Sequence, residues 1–246
     1  MLKDFLTQRL KRGLVRRLNN LKIARQASLV SRTSPTPSGA PVVFFKASTG
    51  IDDLSWNSGF HLLASWALRL KGIPVAYFAC NSGMSKCVLG TNRDDPYKEM
   101  PCKTCVAQSR VLYAGLRSND FSSYGKTATE VATTSRVNWF AFERNSYLVS
   151  RIQSLSVHEL ATLHFQNIPL GPLCLPGLRW ILRIHHLSDD ENTRYLLREY
   201  ILSAWNGRRS SRNFFDETNP RAVIVFNGQF FPKRRRDTWR RNAASA

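Results

Sequence analysis

Four of the chain's five cysteines fall within residues 80–105, CNSGMSKCVLGTNRDDPYKEMPCKTC, at the spacing C-x6-C-x14-C-x2-C. Cys102 and Cys105 form a CxxC half-site, whose two-residue gap lets both thiolates point at one ion. Cys80 and Cys87 flank a glycine-containing loop and could complete a tetrahedral set. Structural zinc held by Cys80, Cys87, Cys102 and Cys105 is the leading expectation. Lys86 and Lys103 beside the thiols would offset part of the charge of four thiolates. Three readings compete with it: an iron–sulfur cluster on the same ligands, a redox CxxC opening a helix, and cysteines that only pack. The C-x6-C gap departs from the two CxxC halves of the strongest zinc signals. The odd cysteine count and the lack of a secretory h-region point away from disulfides and towards a cytoplasmic, reducing setting.

Other residue types able to do chemistry are scattered. His61, with Asp53 to orient it, is a candidate general base, against the plainer reading of a packing histidine and a helix cap. Ser48 and Thr49 follow one apolar run, and Asn227 and Gly228 follow another; both pairs are candidate substrate contacts. His185-His186 before Asp189-Asp190-Glu191 has a metal-like composition, but reads better as a loop entering a helix. Arg93-Asp94-Asp95 reads as a loop held by ion pairs or touching substrate. No P-loop, GxGxxG or GxSxG occurs.

The elements that must position these residues follow from periodicity. PVVFFKAST (41–49) and IPVAYFAC (73–80) read as buried strands. Between them, residues 56–72 have helical spacing, with Phe60, Leu63, Ala64, Ala67 and Leu68 as the expected apolar face and Gly72 as the stop. A strand–helix–strand unit predicts a parallel pair, whose carboxyl edge would carry residues 47–53 and the segment after Cys80. VNWFAFE (137–143) is a candidate third strand and PRAVIVFNGQFF (220–231) a further one. Residues 114–135 are Ser/Thr/Gly-rich and read as an excursion. Helices are expected over 156–165, opened by a Ser156/Glu159 capping box, and over 189–206, where GRRSSRN (207–213) interrupts. The fold class expected is therefore α/β: a Rossmann-like, largely parallel sheet with helices on both faces and a Cys-rich insertion.

Charge sorts the chain into regions. Net charge is +19 over 246 residues, yet residues 1–26 hold eight Lys/Arg against one Asp, and residues 233–241 hold six against one. The basicity lies largely in the termini, which weakens a nucleic-acid grip by the folded part. Over residues 2–25, Leu2, Phe5, Leu6, Leu10, Leu14, Leu18 and Leu21 recur at spacings of three and four among Lys and Arg. That pattern suits a helix lying on an anionic membrane surface, or one packed on a partner. The organisation expected is a basic amphipathic helix (1–30), a Ser/Thr/Pro/Gly linker (31–40), one domain (41–232) and a basic tail (233–246). No apolar run of spanning length is present.

The stretches VVFFKAST, LLASWALRLKGIPVAYFAC, GMSKCVLGTNRDDP, PCKTCVAQSRVLY, LGPLCLPGLRWILRIHHLSDDENTRYLLREYILSAWN and AVIVFNGQFFP resemble a family of bacterial glycosyltransferase-like proteins of capsule polysaccharide biosynthesis. The cysteine segment and the LRWILR…REYILSAWN block are its most specific parts. The resemblance implies the amino-terminal half of a GT-B arrangement: an acceptor-side Rossmann-like domain facing a second, donor-binding one. It implies a nucleotide-sugar donor and a glycan or lipid-linked acceptor. Against that pattern the chain stops after AVIVFNGQFFP and a basic tail, as a truncation, a frameshift or a genuine tail would produce. The expectation is thus an acceptor-side glycosyltransferase-like domain, acting in the cytoplasm or at its membrane surface. The alternative is a non-catalytic, zinc-stabilised module for anionic partners such as nucleic acid or a membrane surface.

Overall fold

The computed structural model describes residues 2–46, 55–120 and 135–225. Five strands form one sheet: β1 (Val42–Lys46), β2 (Val75–Cys80), β3 (Arg117–Asp120), β4 (Arg136–Phe140) and β5 (Ala222–Val225), in the order β3-β4-β2-β1-β5. Every pairing is parallel, with Val42 opposite Val75 and Ala222, and Ala76 opposite Arg136. β1 and β2 are apolar on both faces, as a sheet covered on both sides requires. Val42, Phe44, Val75, Tyr77, Val137 and Trp139 point to one face. Val43, Phe45, Ala76, Phe78 and Phe140 point to the other.

Helices α1 (Leu2–Thr33), α2 (Trp56–Leu70) and α3 (Cys102–Leu112) supply the first covering layer. α1 is tied to α3 by a reciprocal amide pair, Asn20 with Gln108 at 3.1 and 3.3 Å. The Arg69 guanidinium of α2 donates to Ser31 Oγ of α1 at 2.6 Å. The second face receives Phe214 and Phe215 of the long helix α7 (Glu191–Thr218). Around the first half of α7 pack α4 (Ser146–Ile152), α5 (Val157–Thr162) and α6 (Leu170–Leu182), forming a helical core of their own. The expected α/β class with a parallel sheet and helices on both faces is what the chain forms.

Several expectations need correction. α1 continues to Thr33, so the linker begins only at Ser34. The Ser/Thr/Gly-rich stretch contains strand β3, because pairing to β4 overrides its weak local propensity. α7 is not interrupted at 207–213: it runs to Thr218, with Arg209 and Arg212 exposed, Arg208 half-buried and Phe214 fully buried. α6 lacks a polar opening signal and contains Pro176, yet forms because Leu170, Leu173, Cys174 and Leu178 bury against α5 and α7.

The largest correction concerns α2. Its buried face is Ser58, His61, Leu62, Ser65 and Arg69, whereas Phe60 and Leu63 are exposed, together with Trp56. The polar members are accommodated by partners: Ser65 accepts the Tyr77 hydroxyl and donates to the Leu62 carbonyl, and Arg69 holds α1. Tyr77 and Tyr113, stacked 4.3 Å apart between sheet and helices, have their hydroxyl pKa values pushed up by burial. Of the expected apolar face, Ala64 and Leu68 do pack against the core, while Phe60 and Leu63 do not.

Candidate functional site at the carboxyl edge of the sheet

In an all-parallel sheet the strand carboxyl ends share one edge, and the loops that leave it are placed to meet a ligand. Here β2 exits at Cys80 into residues 81–101, and β4 exits at Phe140 into residues 141–145. The 81–101 loop does not hang free; it is laid along α7. The Lys86 amide donates to Ser203 Oγ at 3.1 Å, and Thr91 Oγ1 bonds the Tyr200 hydroxyl at 3.1 Å. Ser85 Oγ donates to Glu199. Asn206 joins both loops, donating to the carbonyls of Gly83 (2.9 Å) and Ala141 (2.8 Å) and accepting the Glu143 amide at 3.3 Å. Gly83 has no room for a side chain: a Cβ there would stand 2.3 Å from the Phe140 ring.

The polar centre of this edge is Glu199. Its carboxylate takes Ser85 on one oxygen and faces the Arg144 guanidinium at 3.6 Å. The Glu199 side chain is 10% exposed while Arg144 is 57% exposed, so the pair runs from interior to solvent. Burial raises the Glu199 carboxyl above the usual carboxylate range, with Arg144, Lys86 and Arg198 pulling the other way. Beside it Tyr195 stacks on the exposed Tyr97 at 4.4 Å, and the Lys86 ammonium lies 5.8 Å from the Tyr195 ring. Lys86 itself is buried and donates to the Lys98 carbonyl at 2.8 Å, pinning the two ends of the loop together.

Next to this polar patch lies a cavity lined by Cys80, Cys87, Cys102 and Cys105, with Met84, Leu89, Met100 and Val106. The structure brings all four sequence-predicted cysteines to one place. No disulfide links them. The fifth, Cys174, is buried in the helical core, where burial raises its thiol. Burial pushes the Cys80 thiol up to about 12 and the Cys87 thiol up to about 11, and each of the two is raised further by Cys102 and Cys105. Among the described residues, no three metal-ligating side chains already stand at coordination spacing.

The other expected site residues fare differently. His61 lies on the buried side of α2, 4% exposed, edge-on to Phe44 with ring centroids 5.7 Å apart. This is a packing position between α2 and the sheet. Ser48, Thr49, Asp53, Asn227 and Gly228 lie outside the described residues. His185 and His186 meet edge to face, and the acidic residues after them serve the helices. Asp190 caps α7 through the Thr193 amide at 2.9 Å, and Asp189 holds Arg194 at 2.8 Å. The 92–95 turn is built by Asn92, whose side-chain oxygen accepts the amides of Asp94 and Asp95.

Sequence reading missed Glu199, Arg144, Ser85 and Asn206. Glu199 and Asn206 sit on the inward side of α7, where a buried polar residue in an otherwise apolar stripe was the available signal. Comparison with protein families, with curated proteins and with solved structures finds no match.

Proposed function

We propose that the chain is the acceptor-side, Rossmann-like domain of a glycosyltransferase-like protein of cell-surface polysaccharide synthesis, with the acceptor glycan bound at the carboxyl edge of its sheet. The observation that carries the reading is the packing of the cysteine loop on α7. The two stretches that most specifically resemble the glycosyltransferase-like family, GMSKCVLGTNRDDP and REYILSAWN, are distant in the chain, yet they meet through Ser85–Glu199, Lys86–Ser203 and Thr91–Tyr200, pairs 114, 117 and 109 residues apart. They do so at the edge where parallel sheets take ligands.

The edge supplies what sugar binding needs. A carboxylate and a guanidinium, Glu199 and Arg144, can share the hydroxyls of one sugar ring, the first accepting and the second donating. The Tyr97–Tyr195 stack gives a flat apolar face beside them for the C–H side of a ring. In the transfer, an acceptor hydroxyl attacks the anomeric carbon of a nucleotide-sugar. Its proton passes to a base, and the nucleotide leaves with the bonding electrons. Glu199, raised by burial, is the carboxylate of this edge suited to take that proton.

α1 supplies attachment to the surface where a lipid-linked acceptor would lie. Leu10, Leu14, Leu18 and Leu21 are 50–75% exposed and fall within about 80° of each other around the helix. They lie on the side opposite Ala27 and Val30, which pack inward. Six Lys/Arg and no acidic residue occupy positions 10–25. Such a stripe fits an anionic bilayer, which neutralises the cations while the leucines enter the acyl boundary. A second copy of the same helix would bring the same charges against it. No helix among the described residues is long and apolar enough to cross a membrane.

The test is titration of the purified chain with a panel of short bacterial-surface oligosaccharides, Arg144→Ala alongside. Saturable binding weakened about tenfold or more by that substitution is expected, a loss of about 1.4 kcal/mol. Binding only to oligonucleotides, with affinity falling steeply as salt rises, would overturn the reading in favour of an anion-binding module.

A further inference from the structure

We propose that the cavity at the end of β2 is a tetrathiolate site for a single zinc ion, formed by Cys80, Cys87, Cys102 and Cys105. Cys80 ends β2, Cys87 lies in the loop laid along α7, and Cys102 and Cys105 open α3 one turn apart, on one face of the helix. Three separate elements thus deliver four thiols to one cavity. Incidental cysteines have no reason to converge from positions spread over 26 residues.

The second observation is what surrounds the sulfurs. The Gly83 amide donates to Cys80 Sγ at 3.2 Å. The Cys87 carbonyl receives the Gly90 amide at 3.1 Å and the Thr91 amide at 2.9 Å, a tight turn that fixes the backbone at this cysteine. A donor aimed at sulfur spreads the negative charge of a thiolate, and a hydrogen-bonded turn holds its cysteine in place. The first turn of α3 adds the positive end of a helix dipole at Cys102 and Cys105.

The third is selectivity. The rest of the lining is Met84, Leu89, Gly90, Met100, Pro101 and Val106 with the single hydroxyl of Ser82, and holds no carboxylate or imidazole. A set of thiolates in an apolar shell selects zinc over magnesium, calcium or manganese. Four thiolates would complete a tetrahedral set around zinc and leave no position for substrate, so the site would be structural. Its work is to fix the 81–101 loop against α7, which holds Ser85 and Lys86 beside Glu199. Because the thiols do not already stand at coordination spacing, zinc would draw them inward and order the loop further.

The experiment is elemental analysis of the full chain purified under reducing, chelator-free conditions, with Cys87→Ser, Cys102→Ser and Cys174→Ala beside it. The expected result is about one zinc per chain and no iron. Cys87→Ser and Cys102→Ser should each lower zinc at least tenfold after dialysis, while Cys174→Ala, altered outside the cavity, keeps it. Cobalt added to chelator-stripped wild-type chain should give the intense sulfur-to-cobalt absorption of a tetrahedral thiolate site, a readout that needs no variant to fold. Wild-type chain that carries no metal and gives no such absorption overturns the proposal. So does iron with visible colour, or equal loss of zinc in Cys174→Ala.

Discussion

Asn206 does more for the candidate site than any residue visible from composition, because one side chain satisfies backbone groups of two loops. Its replacement by alanine leaves the Gly83 and Ala141 carbonyls without that donor. A cost of about 1–3 kcal/mol is predicted, measured as a lower urea midpoint. Glu199 makes a pH-dependent prediction. Its folded carboxyl is raised above the unfolded value, so its contribution to stability is full below the ordinary carboxylate range and is lost as pH rises through the folded value. Glu199→Gln stays neutral throughout. The stability of wild type relative to Glu199→Gln should therefore decline as the buffer is taken from acid towards neutral, and a difference that grows with pH would contradict the burial argument.

At the scale of elements, α1 and α2 show what spacing alone cannot decide. The leucine period of α1 was legible, but only the structure separates the outward stripe from the inward one at Ala27 and Val30. Replacing Leu14, Leu18 and Leu21 by serine should cut binding to phosphatidylserine-containing vesicles at least tenfold, with little change in melting temperature, because these side chains are exposed. Wild-type binding should also weaken as salt screens the basic flanks. Equal binding of the variant in co-sedimentation would remove the membrane role. For α2, Ala64 and Leu68 pack inward but Phe60 and Leu63 are exposed, since Ser65 and Arg69 take buried positions with hydrogen-bond partners that no single-sequence pattern displays. In α7 the run GRRSSRN resembled a break, yet Phe214 on the following turn anchors the helix to the sheet. Phe214→Ala should cost about 3–5 kcal/mol, read by chemical denaturation.

Over the whole molecule, the parts written in local apolar runs were readable: β1, β2, β4 and the parallel class of the sheet. So was the gathering of four cysteines at its carboxyl edge. The polar machinery was not, because Glu199, Arg144 and Ser85 become neighbours only when α7 is laid against two loops far away in sequence. His61 stood out by residue type alone, and the fold gives it a packing position instead. The account's central claim is that ligand binds where the cysteine loop, the β4 exit and α7 meet. Hydrogen exchange of the chain with and without a saturating bacterial-surface oligosaccharide tests that claim most directly. Slowed exchange is predicted in residues 81–101, 141–145 and 195–206 together. Protection confined to α1 or to α4 and α5, with that edge unchanged, would contradict it.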